Sequence, residues 1–292
     1  MDARIKDPRL VDLYHEYAHV HFDRRVFLER ATKLLGSSAA AASALAVLTP
    51  NDAAAAVVAE NDPRIVTERI TYPGATGPIK AYLARPKDNA KHGAVEVVHA
   101  IGGISPHIED LARRFAVEGY VAMSVDFLSP LGGTPVPRNP DVAKMTNSLK
   151  PEETTANAVA GTNYLRSLPS VNGKVAAIGF CWGGGVINQL AVHDPSLVVG
   201  DVFYGRPPVA GDVSKIKARM LLNYANPNLD KGLGMLYPTY AEQLKAAGIK
   251  SELHVYPGAY HAFFDDTGQR HDAEAAKLAW QRTLAVFKES LT

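Results

Sequence analysis

Cysteine is almost absent from this 292-residue sequence, which contains only one. A single thiol cannot form an intrachain disulfide, so the fold does not depend on an oxidising compartment. The sequence also lacks internal repeats and paired-cysteine metal motifs, which excludes repeat architectures and zinc-ribbon sites. An excess of charge of either sign is missing too, since the net charge is +1. We therefore expect neither nucleic acid nor an anionic membrane as the main partner.

Apolar residues make up 47% of the chain and charged residues 21%, enough for a well-packed core in one large domain or two small ones. The composition changes near residue 60. We predict an N-terminal helical extension or export signal over residues 1–60 and an α/β domain over residues 61–292.

The first segment has two interpretations. Leu10, Leu13, Tyr14 and Tyr17 have helical spacing and predict a helix over Asp7–Ala31. The alternative starts from the stretch "DRRVFLERATKLLGSSAAAASALAVLTPNDAAAA", whose paired arginines and Ala-rich run resemble a twin-arginine export signal. The first interpretation predicts a structural arm on a cytoplasmic protein, and the second predicts periplasmic export.

The segment contains further features of an export signal and one possible metal motif. Ala53–Ala56 offers a cleavage site of the A-x-A type, and Arg24 and Arg25 are the paired arginines. The apolar run from Leu34 to Leu48 is too short for a comfortable membrane span, so we expect no stable membrane insertion. A metal site could also be imagined from the H-x-x-x-H-x-H spacing, but a solvated helix face is the better prediction. That spacing is formed by His15, His19 and His21.

From residue 66 onward, strand and helix patterns alternate, which predicts a mostly parallel sheet with helices on both faces. A Gly- and Pro-rich stretch between Ser129 and Pro151 is long for a compact domain and predicts a lid or binding loop. The predicted strands are Val66–Tyr72, Ile79–Ala84, Ala94–Ala100, Tyr120–Asp126, Lys174–Gly179, Val198–Tyr204, Arg219–Tyr224 and Ser251–Tyr256. The predicted helices are Ile108–Glu118, Glu152–Ser167, Trp182–His193, Pro238–Ala247 and Asp272–Glu289.

The one cysteine lies in "KVAAIGFCWGGG", an apolar strand followed by G-x-C-x-G and a helix. This is the nucleophile-elbow pattern G-x-S-x-G with cysteine in place of serine. Side chains at Gly179 and Gly183 would collide with neighbouring backbone in such a turn. The helix N-terminus favours a thiolate at Cys181. We therefore predict a nucleophile, against the alternative of an inert cysteine in a Gly-rich turn.

A nucleophile of this kind needs a base and an orienting acid, in the order nucleophile, acid, histidine. His261 follows the predicted last strand and precedes the last helix, so it is the predicted base, whereas His99 at a strand end is predicted to be structural. The acid should follow the strand "ARMLLNYA", where Asp230 is predicted and Asn228 remains an alternative. The backbone N–H groups of Trp182 and Ile101 are the predicted oxyanion hole.

These residues together resemble the dienelactone hydrolase family of α/β-hydrolases. The resemblance runs from about Val66 to the C-terminus and is carried by "GFCWGGG", "HIEDLARRFAVEGYVAMSVD", "FYGRPP", "YPGAYHAFFDD" and "AAKLAWQRTLAVFK". It implies an α/β-hydrolase fold with a mostly parallel sheet of about eight strands, flanked by helices and preceded by an N-terminal helical extension. It also implies Cys181, Asp230 and His261 as the triad.

The sequence departs from the family pattern at three places. Ala100 replaces the usual Glu, which the family implies holds and activates the thiol, and Ala262 replaces the usual Gly after the histidine. The stretch from Ala225 to Asp230 is about two residues longer. In "FYGRPP", Tyr204 and Arg206 are candidate substrate-binding residues. Arg206 suits a substrate carboxylate or, equally well, a structural ion pair.

The predicted function is cysteine-dependent hydrolysis of a small carboxylic ester or lactone through a thioester. No metal or organic cofactor is implied, and the expected partner is the small-molecule substrate. A homo-oligomer is compatible with the sequence. Two alternatives remain open at this point: a non-catalytic binding protein that keeps the fold, and acyl transfer to an acceptor other than water.

Overall fold

The computed structural model describes residues 7–18, 24–48, 56–136 and 141–292. One eight-stranded sheet forms its centre, in the order β1-β2-β4-β3-β5-β6-β7-β8. The strands are β1 (Ile65–Gly74), β2 (Gly77–Pro86), β3 (His92–Val98), β4 (Val121–Val125), β5 (Val171–Phe180), β6 (Val199–Phe203), β7 (Arg219–Ala225) and β8 (Ser251–Tyr256). The helices are α1 (Pro8–Ala18), α2 (Arg24–Leu35), α3 (Ser38–Leu48), α4 (Pro106–Val117), α5 (Val142–Ser148), α6 (Pro151–Ser167), α7 (Trp182–His193), α8 (Lys231–Gly234), α9 (Tyr237–Ala246) and α10 (Ala273–Leu291).

The sheet is mostly parallel, as the alternation of elements predicts. Strands β3 to β8 pair in parallel with their neighbours, while β1 pairs with β2, and β2 with β4, in antiparallel fashion. Helices cover both faces, so the central strands are continuous apolar runs rather than alternating ones. The last six residues of β5, for example, are all buried.

Local sequence explains where individual helices begin. Ser105 caps α4 by accepting a hydrogen bond from the Ile108 N–H at 3.3 Å, and Pro106 occupies the first helical position. Asp272 caps α10 through the Ala275 N–H at 3.0 Å. Helix α7 has no side-chain cap, and its first residue directly follows Cys181. The N–H groups of its first turn are therefore available to a ligand.

The N-terminal helices α1, α2 and α3 have a small core of their own. Leu10 and Phe27 are fully buried in it, and Leu48 is 1% exposed. Helix α2 begins at Arg24. Residues 19–23, which include His19 and His21, lie between α1 and α2 and outside the described ranges. The proposed cleavage site also falls largely outside them. Among the described residues, no helix has the length and apolarity needed to cross a membrane.

The junction after this extension lies close to the sheet domain. Both Asp110 carboxylate oxygens accept hydrogen bonds, from the N–H groups of Val57 (3.1 Å) and Val58 (2.9 Å). The Val58 side chain is 7% exposed and belongs to the core around the sheet. Residues 57 and 58 are therefore hydrogen-bonded to α4, although the division at residue 60 remains a prediction.

Candidate active site

Cys181 occupies a sharp turn between β5 and α7. Its backbone angles are φ 55° and ψ −114°, a strained conformation for a residue with a side chain. A Cβ placed on Gly179 would lie 2.4 Å from the Gly183 carbonyl oxygen, and one on Gly183 would lie 2.4 Å from the His99 carbonyl oxygen. Both positions therefore require glycine. The backbone forms the strained strand-to-helix turn that the sequence pattern predicts, and the role of Cys181 as nucleophile stays a prediction.

His261 and Asp230 approach each other from two separate loops. Asp230 follows β7 and precedes α8, and its Oδ2 lies 2.8 Å from Nδ1 of His261 in the loop after β8. Asn228 is exposed, and its own N–H donates to the Asn226 side-chain oxygen at 2.8 Å. The longer turn therefore brings the carboxylate, and not the Asn228 amide, to the imidazole ring.

Cys181 and His261 form an interacting pair in the buried end of the site. His261 is 8% exposed, and burial alone would lower its pKa. The negative charge of Cys181 and the hydrogen bonds to Asp230 and Cys181 outweigh burial and raise the pKa of His261 to about 10. The surroundings of His261 therefore favour its protonated form. This contact forms with Ala100 in place of the family's Glu, so it does not need a carboxylate at that position.

The two predicted oxyanion donors come from two different elements of the fold. Trp182 is the first residue of α7, and Ile101 lies in the loop after β3. Neither backbone N–H has an acceptor among the residues that the structure describes. The helix dipole of α7 adds a favourable field for negative charge at the same place. These N–H groups are therefore available to a developing oxyanion.

The Gly- and Pro-rich loop after β4 packs against the loop that carries Ile101. Asp126 accepts hydrogen bonds from the Thr134 N–H and hydroxyl, both at 2.8 Å. Thr134 in turn accepts from the Ile104 N–H at 3.1 Å, and a Cβ on Gly103 would lie 2.6 Å from the Thr134 hydroxyl oxygen. Helix α5 forms within this segment, whose residues 137–140 lie outside the described ranges. The described parts of this segment therefore contact the loop that carries the predicted Ile101 donor, and the Ile101 carbonyl oxygen also accepts from Thr146 Oγ1 at 2.9 Å.

The candidate substrate-binding residues Tyr204 and Arg206 have different surroundings. Tyr204 is 2% exposed, and its ring centroid lies 4.8 Å from that of His261. The Tyr204 ring packs against the His261 ring and is almost fully buried. Direct contact of Tyr204 with a substrate remains a prediction. Arg206 is exposed and forms no ion pair within the described ranges, while its carbonyl accepts from Asn188 Nδ2 at 2.9 Å. Its backbone is thus fixed and its guanidinium is accessible.

A charged cluster that joins α4 to the loop after β8 is not predicted by any motif in the sequence. Asp266, five residues after His261, bonds His107 Nδ1 at 2.6 Å and Arg114 at 2.5 Å, both on α4. Burial would raise the pKa of Asp266, but these two partners lower it. Within the described residues, His107, Asp265 and Asp266 are also the group whose atoms are close enough to share a metal ion. Because Arg114 already neutralises Asp266, a cation there would face a competing guanidinium.

Comparison with known proteins identifies the family and the fold. Residues 79–291 match the model of the "Dienelactone hydrolase family". A protein from Escherichia coli O157:H7 named "Putative carboxymethylenebutenolidase" is 32% identical over 253 residues, covering 81% of this chain and 92% of the relative. One of the same name from Saccharolobus solfataricus is 34% identical, covering 76% and 98%. The crystal structure of a "Putative Dienelactone Hydrolase" from Klebsiella pneumoniae superposes with a TM-score of 0.68 at 28% identity, covering 77% of this chain and 99% of that one.

Proposed function

Because this chain belongs to the dienelactone hydrolase family of α/β-hydrolases, we propose that it hydrolyses a small carboxylic ester or lactone through a Cys181–His261–Asp230 triad. The observation that carries the proposal is the strained turn at Cys181, whose charge acts on His261, while Nδ1 of the same ring lies 2.8 Å from Asp230 Oδ2. A cysteine kept only for packing has no need of that backbone strain or of a paired imidazole.

The first half of the reaction forms a thioester. The Cys181 sulfur attacks the substrate carbonyl carbon, a C–S bond forms, and the carbonyl π pair moves to oxygen. The N–H groups of Ile101 and Trp182 hydrogen-bond this oxyanion. When the tetrahedral species collapses, the C–O bond breaks and the leaving alkoxide takes the proton of the His261 imidazolium. Asp230 holds the ring in the tautomer that directs Nε2 at the reacting atoms.

The second half releases the acid. Neutral His261 accepts a proton from water as the water oxygen attacks the thioester carbonyl, and the same two N–H groups hold the second oxyanion. Collapse breaks the C–S bond and returns the thiolate beside the imidazolium. With a lactone, the alcohol released in the first half and the acid released in the second belong to one hydroxy acid.

The substrate proposed here carries a carboxylate near the scissile carbonyl. The relatives' name describes a butenolide with a carboxymethylene group. Arg206, exposed and held by its backbone beside α7, is a suitable bidentate partner for such a group. Replacing Arg206 by Leu is expected to raise KM for an anionic lactone far more than for a neutral p-nitrophenyl ester.

The decisive experiment compares wild type with Cys181→Ala on a panel of p-nitrophenyl esters and small lactones. We expect hydrolysis to fall by at least about 10³-fold, because the nucleophile is lost. Thermal unfolding should remain close to that of wild type. Since Cys181 is the chain's one cysteine, iodoacetamide should alkylate one thiol per chain. The loss of hydrolysis should be proportional to the fraction of chains that are alkylated. Hydrolysis that survives in Cys181→Ala would exclude the thioester route.

A further inference from the structure

His99 contacts both sides of the proposed oxyanion hole. It directly follows β3 and is fully buried. Its ring stacks on the Trp182 indole, with centroids 5.3 Å apart and an angle of 12° between the planes. Its Nδ1 lies 2.7 Å from the Ala100 carbonyl oxygen. One side chain therefore touches the residue that supplies one oxyanion donor and the peptide that supplies the other.

The hydrogen bonds of the ring determine its tautomer. The Phe127 N–H can only donate, and it points at Nε2 of His99 at 3.3 Å. Nε2 therefore carries no proton, and Nδ1 must carry it to donate to the Ala100 carbonyl. Burial, the dominant influence, lowers the pKa of His99 and keeps the ring neutral. The ring is thus fixed by a donor at the end of β4.

The Ala100 carbonyl and the Ile101 N–H belong to the same peptide plane. In a trans peptide the C=O and N–H bonds point in opposite directions, so fixing one fixes the other. The Ala100 oxygen accepts both from His99 Nδ1–H and from the Gly103 N–H at 3.2 Å. With its carbonyl held on the side of His99, this peptide directs the Ile101 N–H away from the ring.

We propose that His99 is a positioning residue that orients the Ile101 N–H for the oxyanion by holding the Ala100 carbonyl. The stack of its ring on Trp182 keeps the two donor N–H groups, of Ile101 and Trp182, in fixed positions relative to each other. This proposal rests on the proposed function, because it needs an oxyanion at this site. A histidine buried only for packing would be replaceable by any side chain of similar volume. The proposed role instead requires a donor at the Nδ1 position.

Two amide substitutions separate these roles. In His99→Asn the amide nitrogen falls near the position of Nδ1, so it can still donate to Ala100 but cannot reach Phe127. In His99→Gln the amide falls near Nε2, so it can accept from Phe127 but leaves Ala100 to the Gly103 N–H alone. Both variants lose the aromatic stack equally. Glu96→Gln, a change of another buried side chain on β3, serves as the control and should retain wild-type hydrolysis.

The measurements are kcat and KM for the best p-nitrophenyl ester, inhibition by an aldehyde, and the rate of iodoacetamide labelling of Cys181. The aldehyde forms a hemithioacetal whose oxygen occupies the oxyanion position, whereas alkylation by iodoacetamide forms no oxyanion. We expect His99→Gln to lower kcat by about tenfold or more at nearly unchanged KM. Deletion of an oxyanion donor typically lowers kcat by about 10²–10³-fold, and the loss here should be smaller because the donor is misplaced and not removed. Aldehyde affinity should fall in parallel, with labelling within about twofold of wild type. His99→Asn should recover most of kcat.

The result can contradict the proposal in three ways. Equal kcat values for His99→Gln and wild type would overturn it. Equal losses in both amide variants, with labelling slowed in step, would show a packing role and overturn it as well. Hydrolysis that persists in Cys181→Ala, run in the same assay, would overturn the proposed function and this inference with it. If Cys181→Ala is inactive and only the amide comparison fails, the triad stands and the role of His99 alone is wrong.

Discussion

At the scale of single residues, the choice between Asp230 and Asn228 has the clearest chemical consequence. The Asp230 carboxylate bonds the His261 ring at 2.8 Å and contributes to its raised pKa, so Asp230→Asn should lower that pKa and slow acylation. In a serine triad the same change costs about 10⁴-fold in turnover. We expect a smaller loss here, of about 10²-fold or more, because cysteine sites tolerate an amide orienter.

The control for this prediction is Asn228→Ala. Asn228 is exposed and bonds only within its own turn through its N–H, so its removal should leave kcat/KM unchanged. The pH profile provides the second measurement, because a lower His261 pKa moves the alkaline limb of kcat/KM to lower pH. A larger loss in Asn228→Ala than in Asp230→Asn would reverse the assignment.

Ala262, next to His261, has a conformation that favours glycine. Its φ is 67°, in the left-handed region, which costs a residue with a Cβ about 1–2 kcal/mol. Glycine loses about 0.5–1 kcal/mol more backbone entropy on folding. Ala262→Gly is therefore expected to be neutral or to stabilise the fold by up to about 1 kcal/mol, measured by urea unfolding.

A matched substitution in the same loop tests the reason. Ala259 is fully buried and has no positive φ, so Ala259→Gly should destabilise the fold. Equal destabilisation by both substitutions would show that the left-handed strain at Ala262 is not what sets the free energy of unfolding.

At the scale of elements, the sequence predicts where strands and helices lie but not how they are arranged. Patterns rich in Val, Ile and Tyr place all eight strands within a few residues of their observed bounds. Inner strands such as β3 and β6 leave the strongest pattern because they are buried on both faces, whereas β1 and β8 are mostly half-buried or exposed. The position of β4 between β2 and β3 leaves no such pattern. The contact between Asp230 and His261 likewise depends on the path of a turn. The role we infer for His99 depends on contacts between three elements, so the sequence predicts only a structural histidine there.

A buried carboxyl in the middle of β6 makes the stability of the sheet depend on pH. Asp201 is fully buried and accepts from Thr283 Oγ1 at 2.6 Å and from Asn223 Nδ2 at 2.9 Å. Burial raises the pKa of Asp201 to about 7, although these two bonds oppose the shift. In the unfolded chain an Asp titrates near 3.9. Between about pH 4 and 7 the folded protein therefore holds a proton that the unfolded chain releases, so the unfolding free energy falls as pH rises.

We expect Asp201→Asn to remove this dependence. The amide mimics the neutral acid, so the variant should gain stability over wild type as pH rises from 5 to 8, by on the order of 2 kcal/mol. Denaturant unfolding at three pH values measures the gain. Asp141→Asn, at a side chain that is 69% exposed, is the control and should show no such change. If the unfolding free energies of wild type and Asp201→Asn changed with pH in the same way, that result would contradict a raised Asp201 pKa.

At the scale of the whole molecule, the N-terminal extension is a small helical unit attached to the hydrolase domain. Its core is separate from the core around the sheet. Asp12 on α1 pairs with Arg270 at 2.6 Å, and Arg270 lies over the Tyr260 ring at 5.5 Å, next to His261. Burial lowers the pKa of Arg270, while the charges of Asp12 and Asp230 oppose that shift. The extension thus reaches the loop that carries the proposed base without supplying any residue of the triad.

A chain that begins at Ala56, which keeps the Val57 and Val58 bonds to Asp110, tests whether the N-terminal helices contribute to the reaction. Since the proposed triad and both proposed oxyanion donors lie beyond residue 100, the truncated chain should fold and hydrolyse the same ester. The Asp12 side chain of the pair with Arg270 is 58% exposed, and such solvent-screened pairs are worth about 0–1 kcal/mol, so kcat/KM should stay within about fivefold of the full chain. Asp12→Asn in the full chain isolates the pair with Arg270 and should give no larger change. A truncated chain that folds but is inactive, beside an active Asp12→Asn, would show that the helices build part of the substrate pocket. That result would favour a permanent structural arm over a removable export signal, because a segment the pocket requires cannot be cleaved without loss of activity.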